Sequence, residues 1–171
     1  GPLDRLFNQH CLQSYRENLK RRELPCEDRL IKINPSVSAS PEEVTLAVGR
    51  FLDEMRPACA TSIAAGRSAQ PAPTAIVCTT DGYAAGLITA ARQRGMRVPE
   101  DLSIVGRSNL YYSALTDPPL TTLDINLRAM GEVAATLLLL RIEGAPCVTQ
   151  TLIRPTFVER RSCAALGNGE R

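Results

Sequence analysis

A chain of 171 residues, 44% of them hydrophobic, can bury the core of one domain or of a large piece of a two-lobed one. Its 20 basic and 18 acidic side chains, net +2, lack the concentrated basic excess that a nucleic-acid surface over the whole domain needs. Six cysteines are dispersed without a C-x-x-C pair, no charged-then-apolar leader opens the chain, and the longest apolar stretch, Val133 to Leu140, is far too short to cross a bilayer. Together these predict a globular, cytoplasmic chain with reduced thiols, no membrane partner, no metal and no cofactor.

In chain order, Leu6, Cys11, Leu12, Tyr15 and Leu19 fall near helical spacing, so a helix is expected over residues 5–22, with Lys20-Arg21-Arg22 as its solvated end. Residues 29–33 read as a short strand. Ser40-Pro41-Glu42-Glu43 has the N-cap serine, first-turn proline and early acids that open a helix, running to about Met55 and burying Val44, Ala47, Val48, Phe51 and Leu52. Residues 57–73, rich in Ala, Ser, Gly and Pro, read as a long mobile surface connection that carries no chemistry.

Thr74 to Cys78 is a β-branched run with no polar alternation, the pattern of a strand buried on both faces. Asp81 is a plausible N-cap. Tyr83, Ala84, Leu87, Ile88 and Ala91 then recur at helical spacing up to Gly95, and Leu102 to Gly106 supplies a second buried strand. A crossover of about 30 residues with right-handed connection makes the two strands parallel. Ligands of such sheets sit beyond the carboxyl ends of the strands, here Thr79-Thr80-Asp81 and Arg107-Ser108-Asn109. The alternative reading is that Asp81 only caps its helix, the role such a residue most often takes, and that Ser108-Asn109 only turn the chain.

Pro118-Pro119 suits the entry of a third strand over Leu120 to Leu123, and an apolar helix is expected from Asn126 to Ile142, ended by Gly144. Thr149 to Ile153 and Thr156 to Glu159 read as two final strands, and Arg160 to Arg171 as a polar tail. One histidine, His10, no Gly-rich phosphate loop, no G-x-S-x-G elbow and no clustered metal ligands argue against an enzyme.

The segments PTAIVCTTDGYAAG, RGMRVPEDLSIVG, PPLTT and RPTFVERRS, in this order, resemble the effector-binding domain of LacI/GalR-family transcription repressors; GPLDRLFNQHCLQSYRENL extends the likeness more weakly to the start. The resemblance implies an α/β fold, a parallel sheet flanked by helices, as the carboxyl-side lobe of a periplasmic-binding-protein-like two-lobed domain. On that reading residues 1–123 form the lobe, 124–153 cross to the other lobe, 154–161 return as a strand and 162–171 are tail. It further implies a homodimer, a small effector such as a sugar or sugar derivative in the cleft, and DNA contact only through an N-terminal helix-turn-helix that is missing here. A periplasmic sugar-binding protein of the same fold is the alternative, with an α/β enzyme less favoured.

By resemblance the effector contacts map to Cys11, Thr80, Asp81, Arg107, Ser108, Asn109 and Ile125. Three depart from the family pattern: an arginine is replaced near Cys11, an asparagine by Thr80, and the aspartate of a G-[FY]-D-[DN] turn by Ser108. A serine cannot replace the charge-assisted contacts of a carboxylate with sugar hydroxyls, so an unusual effector is expected. Arg107 offers an anion a cationic fork if it points inward, or pairs with solvent if it points outward. Tyr83, Leu87, Leu110, Tyr111 and Tyr112 lie where family dimers meet, although Leu87 fits the subunit core equally well. The helix over residues 126–142 packs on the other lobe in such proteins, so its leucines are expected to lack cover here and to seek a partner.

Overall fold

The structure, a computed structural model, describes residues 2–32, 40–55 and 73–165. Helix α1 spans Pro2–Arg21 with basic residues in its last turn, as its periodicity requires. It is closed by Glu23 at φ 56 and by the Leu24 amide donating back to the Leu19 carbonyl (3.0 Å). The strand expected over residues 29–33 is instead a single 3-10 turn, Asp28–Leu30. Leu30 and Ile31 are adjacent rather than alternating, and Asp28 is drawn back to Arg16 of α1 (2.7 Å); Ile33 lies outside the described residues.

Helix α2, Pro41–Met55, opens with a reciprocal cap. The Ser40 hydroxyl accepts from the Glu43 amide (3.2 Å) while the Ser40 amide donates to the Glu43 carboxylate (2.8 Å). Its buried residues are Gly49, Phe51, Leu52 and Met55. Including Gly49 and Met55 swings the inward arc past Val48, which leaves Ala47, expected inside, on the exposed margin. The connection expected at residues 57–73 lies outside the described residues except for Pro73.

Strand β1 (Ala75–Val77), helix α3 (Asp81–Gln93) and strand β2 (Ser103–Arg107) form the expected crossover, with Ala75 opposite Ser103 and Val77 opposite Val105 in parallel register. Strand β3 (Thr121–Asp124) continues the sheet in parallel beside β2, and β4 (Thr156–Val158) closes it antiparallel to β3, in the order β1-β2-β3-β4. One face of this sheet is covered by α2 and α3. Leu52, Met55, Ala84, Leu87, Ile88, Ala91, Leu102, Ile104 and Leu120 make one continuous core there. Two glycines let the helices close: a methyl on Gly86 would meet Val44 Cγ1 at 2.9 Å, and one on Gly49 would meet the Arg94 guanidinium, which forks onto Asp53 with two bonds of 2.7 Å.

Strand β1 is not buried on both faces. It is the sheet's edge among the described residues, and Val77 stays 76% exposed. An unbroken apolar run marks what a strand can bury, not what covers it. Helix α4, Leu127–Ile142, is entered through Asn126 at φ 58 and ended by Gly144 at φ 70; none of its residues is buried, as expected for leucines without cover. Of the two final strands only β4 forms. Residues 149–153 open on a bend and pair with no strand among the described residues, and without a ladder partner a segment is not a strand.

The polar tail is corrected as well. Ser162 is fully buried: its hydroxyl accepts from the Thr121 amide (2.8 Å) and donates to the Ile104 carbonyl, whose own amide donates to the Ser162 carbonyl (2.8 Å). The segment after β4 thus bridges the amino ends of β2 and β3 through Ser162.

Candidate functional site at the strand ends

Three parallel strands end on one edge of the sheet, so the chain leaves all three in the same direction: Thr79 to Asp81 after β1, Arg107 to Asn109 at the end of β2, and Asp124 to Asn126 at the end of β3. Parallel alignment, not sequence proximity, brings these loops together.

Helix α3 is capped by Thr80, whose hydroxyl accepts from the Tyr83 amide (3.4 Å), and not by Asp81. Asp81 is fully buried beneath the loops. One carboxylate oxygen accepts from the Leu110 amide (2.7 Å) and the other from the Thr122 hydroxyl (2.5 Å). The helix-cap expectation for Asp81 is thus corrected, Thr80 holding that position, while the Asp81 carboxylate pins the β2 loop and β3 to the start of α3. Gly106 is required beside it: any side chain there would drive into the Asp81 carboxylate and Leu120. Cys78, just before this turn, is half-buried against the core, and its thiol pKa is pushed up to about 12, by burial first and then by the Asp81 charge, which disfavours the thiolate.

The β2 loop takes two successive left-handed residues, Ser108 at φ 115 and Asn109 at φ 52. Such backbone favours glycine, so side chains must hold it. The Ser108 amide donates to the Leu123 carbonyl (2.8 Å), and the Asn109 amide group donates to Asp124 Oδ2 (3.0 Å) and accepts from Arg160 (2.7 Å). Asp124 Oδ1 in turn accepts from the Asn126 amide (2.7 Å). These bonds, Asn109 before Asn126, hold the Asp124 carboxyl below its ordinary range. Arg107, Ser108 and Ile125 are half-buried on this edge, and Cys11 is half-buried on α1, sharing no hydrogen bond with the loops among the described residues.

Of the residues expected at a subunit interface, Leu87 is 1% exposed and belongs to the core. Tyr111, at 85% exposure, opens a 3-10 turn, Tyr111–Ala114, and its ring meets Tyr112 edge to face at 5.4 Å. Tyr112 lies against the first turn of α3, where a methyl on Gly82 would sit 3.5 Å from its hydroxyl; burial, then the Asp81 charge, raises its pKa. Tyr83 and Leu110 are half-buried beside it. Two shallow hollows, of about 520 Å³ between α2 and α3 and about 350 Å³ around Lys32 and Glu54, lie away from the strand ends. No group of three or more potential metal-ligating side chains gathers among the described residues, and none of their helices is long and apolar enough to cross a membrane.

Sequence reasoning missed Arg160, Thr122, Asp124 and Ser162. Their signal was the unusual polarity of Thr121-Thr122 in a strand and of Arg160 to Ser162 after one, since polar residues that enter a sheet must be partnered.

A family model of the periplasmic binding protein-like domain matches residues 6–163. The chain is 44% identical over 99 residues to the HTH-type transcriptional regulator MalR of Streptomyces coelicolor, covering 57% of this chain and 28% of that one. It is 41% identical over 93 residues to the HTH-type transcriptional repressor PurR of Erwinia tasmaniensis, covering 54% of this chain and 27% of that one. Among solved structures, the transcription regulator GntR from Chromobacterium violaceum superposes with a TM-score of 0.71 at 30% identity, over 88% of this chain and 50% of that one. The chain belongs to the periplasmic binding protein-like domain family, and its sheet flanked by helices is that of the effector-binding domains of LacI/GalR regulators. The matched stretches span under a third of the length of the two regulators it resembles by sequence, which are regulators and not enzymes by name.

Proposed function

We propose that this chain is the carboxyl-side lobe of the effector-binding and dimerisation domain of a transcriptional repressor, and that it binds a small metabolite without making or breaking a bond. The observation that carries this reading is the convergence of three strand ends on one edge, with the loop of Arg107, Ser108 and Asn109 held in a left-handed shape by side chains. A strained, fully braced loop is what a preorganised binding edge requires. Residues 1–123 supply the lobe, residues 124–153 cross to the second lobe and residues 154–161 return.

The effector is a sugar or sugar derivative, contacted by Thr80, Arg107, Ser108 and Ile125 and, from α1, by Cys11. Asp81 and Asn109 stand behind that surface because their polar atoms are already bonded to protein groups. DNA is reached through a helix-turn-helix carried elsewhere in the regulator, and two subunits meet through Tyr83, Leu110, Tyr111 and Tyr112. Effector binding changes the lobe angle and with it the spacing of the DNA-reading units. The setting is the cytoplasm.

The test is a thermal-shift screen of sugars, sugar phosphates and nucleobases on a polypeptide carrying both lobes, with the upstream reading frame sequenced alongside. A shift by a sugar or sugar phosphate and a helix-turn-helix upstream support the reading. A secretion signal upstream, or no shift across the panel, contradicts it. Where an anionic sugar gives the shift, Arg107→Ala removes it; an unchanged shift would exclude Arg107 as the anion's partner.

A further inference from the structure

We infer that Arg160 and Asn109 are positioning residues forming a latch, which fixes the loop at the end of β2 and ties it both to the exit from β3 toward α4 and to the segment that follows β4. The inference rests on the functional reading above only for what the latch serves; the latch itself is a matter of geometry. The exit toward α4 is Asp124 to Asn126, leaving β3; the chain returning from α4 re-enters the sheet as β4, and Arg160 lies two residues beyond that strand.

Arg160 is half-buried and spends its planar guanidinium on three acceptors. One nitrogen donates to the Leu120 carbonyl (2.7 Å) and the Ser113 hydroxyl (3.2 Å), the other to Asn109 Oδ1 (2.7 Å). Its backbone amide donates to the Thr121 hydroxyl (3.0 Å). Asn109 passes the connection on, because the opposite end of its amide donates to Asp124, whose other oxygen holds the Asn126 amide. A continuous path therefore runs from the segment after β4, through the left-handed loop, to the left-handed residue that starts α4. A change at Ser108 or Asn109 cannot leave either connection where it was. In a receptor whose lobes are joined by these segments, this is the element that converts occupancy of the strand ends into a change at the hinge.

The fork geometry is essential. A lysine ammonium keeps the charge, but a single nitrogen cannot span acceptors on two elements that the guanidinium bridges with separate nitrogens. An aspartate at 109 keeps an acceptor for Arg160 yet sets a second carboxylate against Asp124, which opens only the far arm.

The experiment is amide hydrogen exchange, read by NMR, on the 171-residue chain. In Arg160→Ala the amides of Ser108 and Asn126 are expected to exchange about tenfold faster or more, the scale of losing a charge-assisted hydrogen bond, while Leu87 and Ile88 of α3 stay within about twofold. Arg160→Lys accelerates the same two amides. Asn109→Asp accelerates Asn126 and leaves α3 unchanged, and this variant carries the test if Arg160→Ala does not fold. Uniform acceleration across the chain would reduce Arg160 to a general stabiliser and overturn the latch, as would full protection at Asn126 in Arg160→Lys or Asn109→Asp. No ligand enters the measurement, so its failure strikes the latch alone, whereas a screen without a shift strikes the functional reading alone.

Discussion

Helix α4 is the more apolar of the two helices α3 and α4, yet the two meet opposite fates. In α3 seven residues are buried, including Leu87 at 1% exposure, whereas in α4 none is, with Leu138 and Leu139 each about three-fifths exposed at 60% and 59%. The difference is not one of propensity. α3 lies inside a βαβ crossover whose two flanking strands hold it on the sheet, while α4 hangs from Asn126 and residues 144–155 with no strand of its own to cover. Topology decides which leucines become core, and an apolar helix on a long tether is a surface waiting for another body.

That contrast can be broken at single residues. The largest effect is expected from Leu87→Ala, which removes buried contacts and leaves a cavity, costing about 3 kcal/mol in chemical denaturation. Gly106→Ala follows, at about 2 kcal/mol, because the new methyl meets the Asp81 carboxylate and Leu120, which are held by neighbours that cannot retreat. The paired substitutions Leu138→Ser and Leu139→Ser in α4 should change stability by only about 0.5 kcal/mol, yet lower any self-association seen by sedimentation. A loss comparable to that of Leu87→Ala would mean that α4 is already packed. At the exposed 3-10 turn, Tyr111→Glu should leave the melting temperature unchanged and shift a dimer toward monomer, the outcome that separates an interface tyrosine from a core one.

The smallest effect is electrostatic. The Asp124 carboxyl is held below its ordinary range in the folded chain, so it stabilises the fold above its unfolded pKa, and that contribution is lost as pH falls through the folded value. Asp124→Asn should therefore lower stability at neutral and alkaline pH, converge with the parent chain at acid pH, and so flatten the acid side of the stability profile. An unchanged acid limb would show that the bonds from Asn109 and Asn126 do not discriminate between the charged and neutral carboxyl.

What could be read from residues alone follows the same division. The capping box at Ser40, the helix of Tyr83 to Ala91 and the parallel pair around it were legible because each is written in contiguous residues with a strong period. The cap of α3 was placed one residue late, since Thr80 and Asp81 both suit that role and only the depth of Asp81 under the Leu110 amide and the Thr122 hydroxyl separates them. Arg160 and Ser162 looked like tail because their partners, Asn109, Leu120, Thr121 and Ile104, lie about 40 to 60 residues away, beyond the reach of any local pattern. At the strand ends the loops were found by topology, while which of their side chains are bonded to protein groups was visible only in the hydrogen bonds.

The most direct test of the central claim, that the three strand ends form one ligand-binding edge, is an NMR titration of a polypeptide carrying both lobes, using whichever sugar or sugar phosphate gives a thermal shift. The account expects the amides of Thr80, Arg107, Ser108 and Ile125 to move together with a single affinity. Shifts confined to the hollow between α2 and α3, with those four amides still, would contradict it.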